Sequence, residues 1–316
     1  MGGRENRTLT AVPGLAVGHA QDAQARTGCT VVLGPFRAAA DVRGLASGTR
    51  EVDTLSPLHI VDRVDAILLT GGSAYGLAAA DGVARWLEER GRGFATSAGR
   101  VAIVPAAVLF DLGVGRADRR PDPAMGRAAC EAASREPVPE GAVGAGSGAT
   151  VGKIRGLDHA SPGGVGTAAE TVDGATIAAL AVVNAFGDVL DREGRILAGA
   201  RGEDGEFLDT ARAIRERGGP RGFGDGARTL ENTTLAVVAT DRPFTRLALQ
   251  VIARAAMNGI VRQVAPATTP FDGDVVFACS TGEPARPAAP GEIVRFGLWA
   301  EEVVRRAIER AVAARG

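Results

Sequence analysis

Apolar residues recur along this chain in two periods, and the switch between them separates strands from helices. Val64–Thr70 (VDAILLT) and Ala175–Asn184 (ATIAALAVVN) are compact apolar runs of strand length and predict buried strands. Gly28–Leu33 (GCTVVL), Leu235–Ala239 (LAVVA) and the VVFAC run at 275–279 read the same way. Thr8–Gly18 predicts a short strand broken at Pro13-Gly14. Phe186–Asp191 predicts a strand that follows its neighbour around Asn184-Ala185. Arg100–Gly115 is one more apolar run, interrupted at Pro105. Helical spacing appears at Leu77, Ala80, Val83, Trp86 and Leu87, with Gly91 as a C-cap. It recurs over Pro123–Arg135, with Met125, Ala128, Ala129 and Ala132 on one face, and over Glu206–Arg217. A further helix is expected to start at an Asp241 N-cap with Pro243 in its first turn. It runs to Val261 with Phe244, Leu247, Ala248, Val251 and Ala255 facing inward. Gly291–Arg315 predicts a last amphipathic helix with Ile293, Leu298, Val303, Val304, Ile308 and Val312 as its apolar side. Strands and helices are mixed throughout, with no internal repeat and no linker long enough to divide them, so the pattern predicts a single α/β domain.

Composition narrows the function classes. The 316 residues carry a net charge of −1, which leaves no electrostatic footprint for nucleic acid or an anionic membrane. No apolar run reaches the roughly 20 residues that span a bilayer, and MGGRENRTLTAVPGL has no apolar signal core, so a cytoplasmic protein is expected. Cys29, Cys130 and Cys279 lie far apart and His19, His59 and His159 form no cluster, so neither a metal nor any other cofactor is expected. One compositional oddity points to chemistry. Arginine supplies almost all the positive charge, and Lys153 is the only lysine. Lysine, unlike arginine, can shift its pKa when buried and presents a compact donor.

Lys153 ends a glycine-dense stretch, Gly141–Gly156 (GAVGAGSGATVGKIRG), that lets the backbone approach a ligand closely. A phosphate loop is ruled out, because Ser147 replaces the required glycine and Ile154 the required hydroxyl. Gly146 and Ser147, together with Tyr75 of the turn Gly71-Gly72-Ser73-Ala74-Tyr75-Gly76, are candidate pocket residues. Asn184 closes an apolar strand, where a side-chain amide could serve as an oxyanion donor. Asp272-Gly273-Asp274 places two acids beside a strand end. Glu231-Asn232-Thr233-Thr234 follows a charged, glycine-rich, linker-like stretch, Arg217–Arg228, and opens a strand. That setting suits an internal peptide bond the protein breaks itself. Thr233 would attack the Asn232 carbonyl, and the freed α-amine, with an unperturbed pKa near ~7.7–8.0, would become the base for its own hydroxyl.

Several stretches together resemble the P1 family of self-processing aminopeptidases, typified by DmpA, the β-peptidyl aminopeptidases and the nylon-oligomer hydrolases. They are VPGLAVGHA, TGCTVVL, LLTGGSAYGLAAADGV, VGAGSGATVGKI, AVVNAFGDV, NTTLAVVATD and FDGDVVFACSTG, in the family's order over most of the chain. The resemblance implies a single α/β/β/α layered sandwich, cleaved into 1–232 and 233–316, with the two chains remaining associated and assembling as tetramers. It implies Thr233 as nucleophile after cleavage of Asn232–Thr233, Lys153 as the lysine of the nylon-hydrolase branch, Asn184 as the oxyanion donor, and Asp272 and Asp274 as the paired carboxylates. Thr234 is the alternative nucleophile if the cut lies one residue later. The implied substrates are short peptides or small amides such as 6-aminohexanoate oligomers. An acyltransferase with the same nucleophile and a non-catalytic small-molecule binding protein are the competing readings.

Overall fold

The strands that position the site are β1 (Ala16–Asp22), β2 (Thr27–Val42), β3 (Val64–Thr70), β4 (Ala106–Val108), β5 (Gly164–Val172), β6 (Ala175–Asn184), β7 (Thr233–Thr240) and β8 (Val275–Ser280). The helices are α1 (Ala79–Glu88), α2 (Pro123–Glu131), α3 (Thr210–Arg217), α4 (Arg246–Gln263) and α5 (Pro290–Ala313). This computed structural model describes residues 6–219, 232–284 and 286–314. Most of the predicted linker, and Glu231 of the proposed junction, lie outside the described residues.

Hydrogen bonding joins the strands in the order β5-β6-β7-β8-β2-β3-β4, with β1 also paired to β2. Strand β2 belongs to two faces. Its first half pairs with β1 and β3, and its second half with β8. A register shift between Leu33 and Phe36 lets the strand continue past Gly34-Pro35, where the sequence pattern had ended it. Side-chain alternation then sorts the apolar residues into three cores. Ile67 and Leu69 of β3, Leu180 and Val182 of β6, Leu235 and Val237 of β7, and Phe277 of β8 meet between the two sheet faces. Ala66 and Leu68 of β3 pack with Val83 and Leu87 of α1 and Ala129 of α2. Ala179 and Ala181 of β6 and Ala236 and Val238 of β7 pack with Ile252, Met257, Val303 and Ala307 of α4 and α5. The result is helix, sheet, sheet, helix, the layered architecture expected. No helix among the described residues is long and apolar enough to cross a membrane.

Several local expectations are corrected. Thr8–Gly18 is a 3₁₀ turn (Leu9–Ala11) followed by a strand from Ala16, because Pro13-Gly14 separates the two. β5 was not legible in its glycine-rich sequence. Strand Phe186–Asp191 shortens to Asp188–Leu190. Helix α4 is capped by Thr245, which accepts from Ala248 N–H, because Asp241 is engaged elsewhere, accepting from Thr176 N–H at 2.8 Å. Leu247 and Val251 of α4, Leu298 of α5, Ala128 of α2 and Ala132 just after it are exposed rather than inward. The helices α4 and α5 bury small residues such as Ala253, Ala256, Ala300 and Ala307 against each other and the sheet instead.

Candidate active site

Strands β6 and β7 run antiparallel with Asn184 opposite Thr233. Both share the alternation of Val182 and Leu235, so both point between the two sheets and are cross-strand neighbours. Thr234 takes the other face, with Ala236 and Val238. Its hydroxyl has no hydrogen-bond partner among the described residues.

At the start of β7 the Thr233 hydroxyl donates to the carbonyl oxygen of Asn232 at 2.5 Å. The same oxygen accepts the backbone N–H of Gly273 at 2.9 Å. The Asn232 N–H donates to Phe271 O at 3.1 Å, and a parallel bridge links Asn232 to Asp272. The D-G-D segment therefore continues β8 alongside the junction. Only glycine fits at its centre, since a Cβ on Gly273 would come within 2.6 Å of Ala46 O.

Lys153 and Asn184 form one unit. Lys153 Nζ donates to Asn184 Oδ1 at 2.9 Å and to Asn184 O at 3.0 Å. Asn184 Oδ1 also accepts Thr150 N–H at 3.0 Å, and its Nδ2 donates to Phe110 O at 3.0 Å. These bonds fix which way the amide faces and leave its second N–H as a donor beside Thr233. Lys153 is only 2% exposed. The isolated lysine is thus a buried ammonium in a space shaped for a single-point donor rather than the fork of an arginine.

Both acids of D-G-D are buried. Asp272 accepts from Phe186 N–H at 3.3 Å, and from the N–H and hydroxyl of Thr269 at 3.0 and 2.5 Å. Asp274 accepts from Thr234 N–H at 2.6 Å and Thr268 N–H at 3.0 Å. Burial pushes the Asp272 carboxyl above its usual range, while Thr269 and the Lys153 charge pull the other way. Asp274 is raised further, by burial first and then by the charge of Asp272. Neither carboxylate is hydrogen-bonded to Thr233 in the unbroken chain. Asp274 instead holds the Thr234 N–H just after the junction, and Asp272 ties Phe186 to the Thr269 turn.

The structure thus gathers Asn232, Thr233, Asn184, Lys153, Asp272 and Asp274. Tyr75 is not brought to them. It is 61% exposed, with the Arg120 guanidinium stacked over its ring at 4.1 Å. Gly146 packs tightly on the backbone of Gly164 and Val165, and Ser147 is buried in the turn that leads to Thr150. Sequence reasoning missed the Gly273 N–H, the Phe110 carbonyl and the Thr268-Thr269 donors, since backbone groups carry no sequence signature. It also missed an apolar cleft of about 400 Å³ lined by Phe186, Ala211, Ile214, Pro266, Pro270 and Phe271. Phe186 and Phe271 flank Asp272 there, with ring centroids 5.7 Å apart.

Comparison with known proteins places the chain in a family. The family model described as peptidase family S58 matches residues 7–315. An uncharacterized aminopeptidase of Mycobacterium tuberculosis is 44% identical over 300 residues, covering 90% of this chain and 84% of that protein. A 6-aminohexanoate-oligomer endohydrolase of a Kocuria species is 33% identical over 88% of this chain and 76% of its own. Among solved structures, an L-aminopeptidase D-Ala-esterase/amidase from Ochrobactrum anthropi, described as a variant of the Ntn-hydrolase fold, superposes with a TM-score of 0.73 at 20% identity. That match covers 98% of this chain and 86% of the other. A β-aminopeptidase from a Burkholderia species gives 0.71 at 22%, over 98% and 87%. These likenesses agree with the layered fold: the chain is a hydrolase of peptide or amide bonds and belongs to peptidase family S58.

Proposed function

We propose that the chain activates itself by cutting Asn232–Thr233 and then hydrolyses short peptides or small amides with Thr233 as an N-terminal nucleophile. The observation that carries this reading is the Asn232 carbonyl, which receives the Thr233 hydroxyl at 2.5 Å and the Gly273 N–H at 2.9 Å on one oxygen. The nucleophile already lies against the bond, and a backbone dipole already polarises it. In the first step the Thr233 Oγ–C bond forms, the C–N bond breaks, and the hydroxyl proton ends on the new α-amine. Water then hydrolyses the ester, leaving an Asn232 carboxylate and a free Thr233. In turnover the same oxygen attacks a substrate carbonyl while the α-amine takes its proton. That proton passes to the leaving amine as the C–N bond breaks, and water then hydrolyses the acyl-enzyme to release the acid and restore Thr233. Asn184 Nδ2 donates to the oxyanion, a contact typically worth ~2.7–4 kcal/mol. The Lys153 ammonium, bonded to the far side of that amide, polarises it towards the developing charge. Asp272 and Asp274, buried beside the junction, orient the new amine.

Thr233 is favoured over Thr234 because only Thr233 faces the space between the sheets. The cleft beside Asp272 supports substrates with an apolar chain next to the amide, as 6-aminohexanoate oligomers have. Exposed Leu247, Val251 and Leu298 on the outer helices are in keeping with the tetramer of cut pairs that the family resemblance implies. Denaturing electrophoresis with N-terminal sequencing tests the central step. Wild type is expected to yield a fragment starting at Thr233 and Thr233→Ala to stay whole and inactive. An active preparation consisting of intact chains refutes the proposal.

A further inference from the structure

The short helix α3 forms one wall of the apolar cleft, through Ala211 and Ile214. Pro266, Pro270 and Phe271 form the other, with Phe186 against Phe271. Helix α3 has little core of its own to rest on. Thr210 is the one buried residue among the described residues of α3, which leaves eight residues without enough apolar contact to hold them in place. A carboxylate holds them instead. Asp188 Oδ2 accepts the Thr210 N–H at 2.6 Å, and Oδ1 accepts the Thr210 hydroxyl at 2.9 Å and the Ala200 N–H at 2.9 Å. The contact lies at the N-terminal end of α3, where negative charge is favoured, and both Asp188 and Thr210 are buried.

The backbone of the same aspartate carries the other wall. Asp188 pairs antiparallel with Ala265, one residue before Pro266. A Cβ on Gly187 would come within 2.3 Å of Pro266 O, so the two segments are in direct contact there. Phe186, two residues earlier, gives its N–H to Asp272. The cleft and the proposed active site are therefore built on one stretch of chain, Phe186-Gly187-Asp188. We propose that Asp188 is a positioning residue for substrate selection: it fixes α3 against the Pro266–Phe271 wall, and the cleft so formed takes the straight methylene chain of an amide rather than a compact amino-acid side chain. The polar groups that line the cleft are already engaged. The Thr269 hydroxyl donates to Asp272, and Arg215 Nε donates to Ala211 O at 3.1 Å. A methylene chain meets apolar surface along the cleft and gains with each carbon it buries. A compact side chain would leave much of the 400 Å³ unfilled and forfeit those contacts.

This deepens the amide-hydrolase reading and rests on it, so two readouts are chosen that need no turnover. Asp188→Asn keeps the shape, but an amide cannot accept from Ala200 and Thr210 on both sides, so one tie is lost. Hydrogen exchange followed by mass spectrometry should be at least about tenfold faster in residues 208–217, the scale of one lost charge-assisted bond, and unaltered in β6. Binding of hexanamide, followed by ligand-observed NMR, should weaken at least about tenfold, the scale of one misplaced methylene, with a smaller change for acetamide. In turnover the loss should fall on KM for long-chain acyl amides rather than on kcat. Thr210→Val removes only the hydroxyl tie and should move both readouts the same way by a smaller factor; it decides if Asp188→Asn does not fold. A folded variant whose α3 exchanges as in wild type, or whose β6 loosens equally, overturns the anchoring. One whose α3 loosens while hexanamide binds as before overturns the selection. If wild type hydrolyses neither long-chain nor short amides, the function reading falls, while exchange and binding still judge Asp188.

Discussion

Replacing Asn184 separates stability from catalysis, provided the right variant is chosen. The side chain is fully buried and makes three hydrogen bonds, to Thr150 N, Lys153 Nζ and Phe110 O. Asn184→Ala would strand all three partners. At about 1–3 kcal/mol for each unsatisfied buried group, the loss approaches the entire ~5–15 kcal/mol stability of a domain, so an inactive Ala variant would say little. Asn184→Asp retains the oxygen that accepts from Thr150 and Lys153, and places a carboxylate beside the ammonium. Its second oxygen faces the Phe110 carbonyl where the amide donated, at a cost of about 1–3 kcal/mol. It also removes the oxyanion donor. The expected outcome is a folded protein with a modestly lower melting temperature and kcat reduced about 10²–10³-fold. The assay is steady-state hydrolysis of a chromogenic amino-acid amide, with active sites counted from the Thr233 fragment so that slow self-cutting is not mistaken for slow turnover. A cut Asn184→Asp enzyme whose kcat stays within about threefold of wild type would remove Asn184 from the oxyanion site.

Thr234→Ala should cut itself and turn over like wild type, with a stability change under about 1.5 kcal/mol, because its hydroxyl has no partner to lose among the described residues; loss of cutting by sequencing would return Thr234 to candidacy. Asp274 carries a carboxyl raised from 3.8 in the fold, so the folded state holds more protons than the unfolded chain, and its contribution to stability falls as pH rises from 3.8 towards the raised value. Melting temperatures from pH 4 to 8 should therefore show Asp274→Asn gaining on wild type as pH increases, and parallel curves would contradict the buried-acid assignment. Ala211→Trp, which fills the cleft beside Phe186 and Phe271, should raise KM for amides with a long apolar acyl chain and leave glycine amides unaffected. Equal effects on both would detach the cleft from substrate binding.

The inner strands were legible because burial on both faces leaves continuous apolar runs: Val64–Thr70 and Ala175–Asn184 end where the sequence pattern ends them. The site was legible where side-chain identity was locally odd, as with one lysine among arginines, an amide closing an apolar strand, and two acids around a glycine. The outer helix faces were misread for a physical reason. Hydrophobicity ranks Leu247, Val251 and Leu298 above alanine, but two helices packed closely on a sheet need small residues at the contact, so the alanines went inside. Asp188 was hidden inside the predicted strand Phe186–Asp191, where one acid looks like a strand end. Its partners at Ala200 and Thr210 arrive from later in the chain, a relation only the fold creates.

The strand that begins at Thr233 has a neighbour from the N-terminal part on one side, while β8, from its own part, closes against β2 on the other. A nick at Asn232–Thr233 would thus leave the C-terminal piece laced through the middle of a sheet it does not own. Two bands on a gel would be one melting unit in solution, and the shorter piece could leave only by unravelling its host.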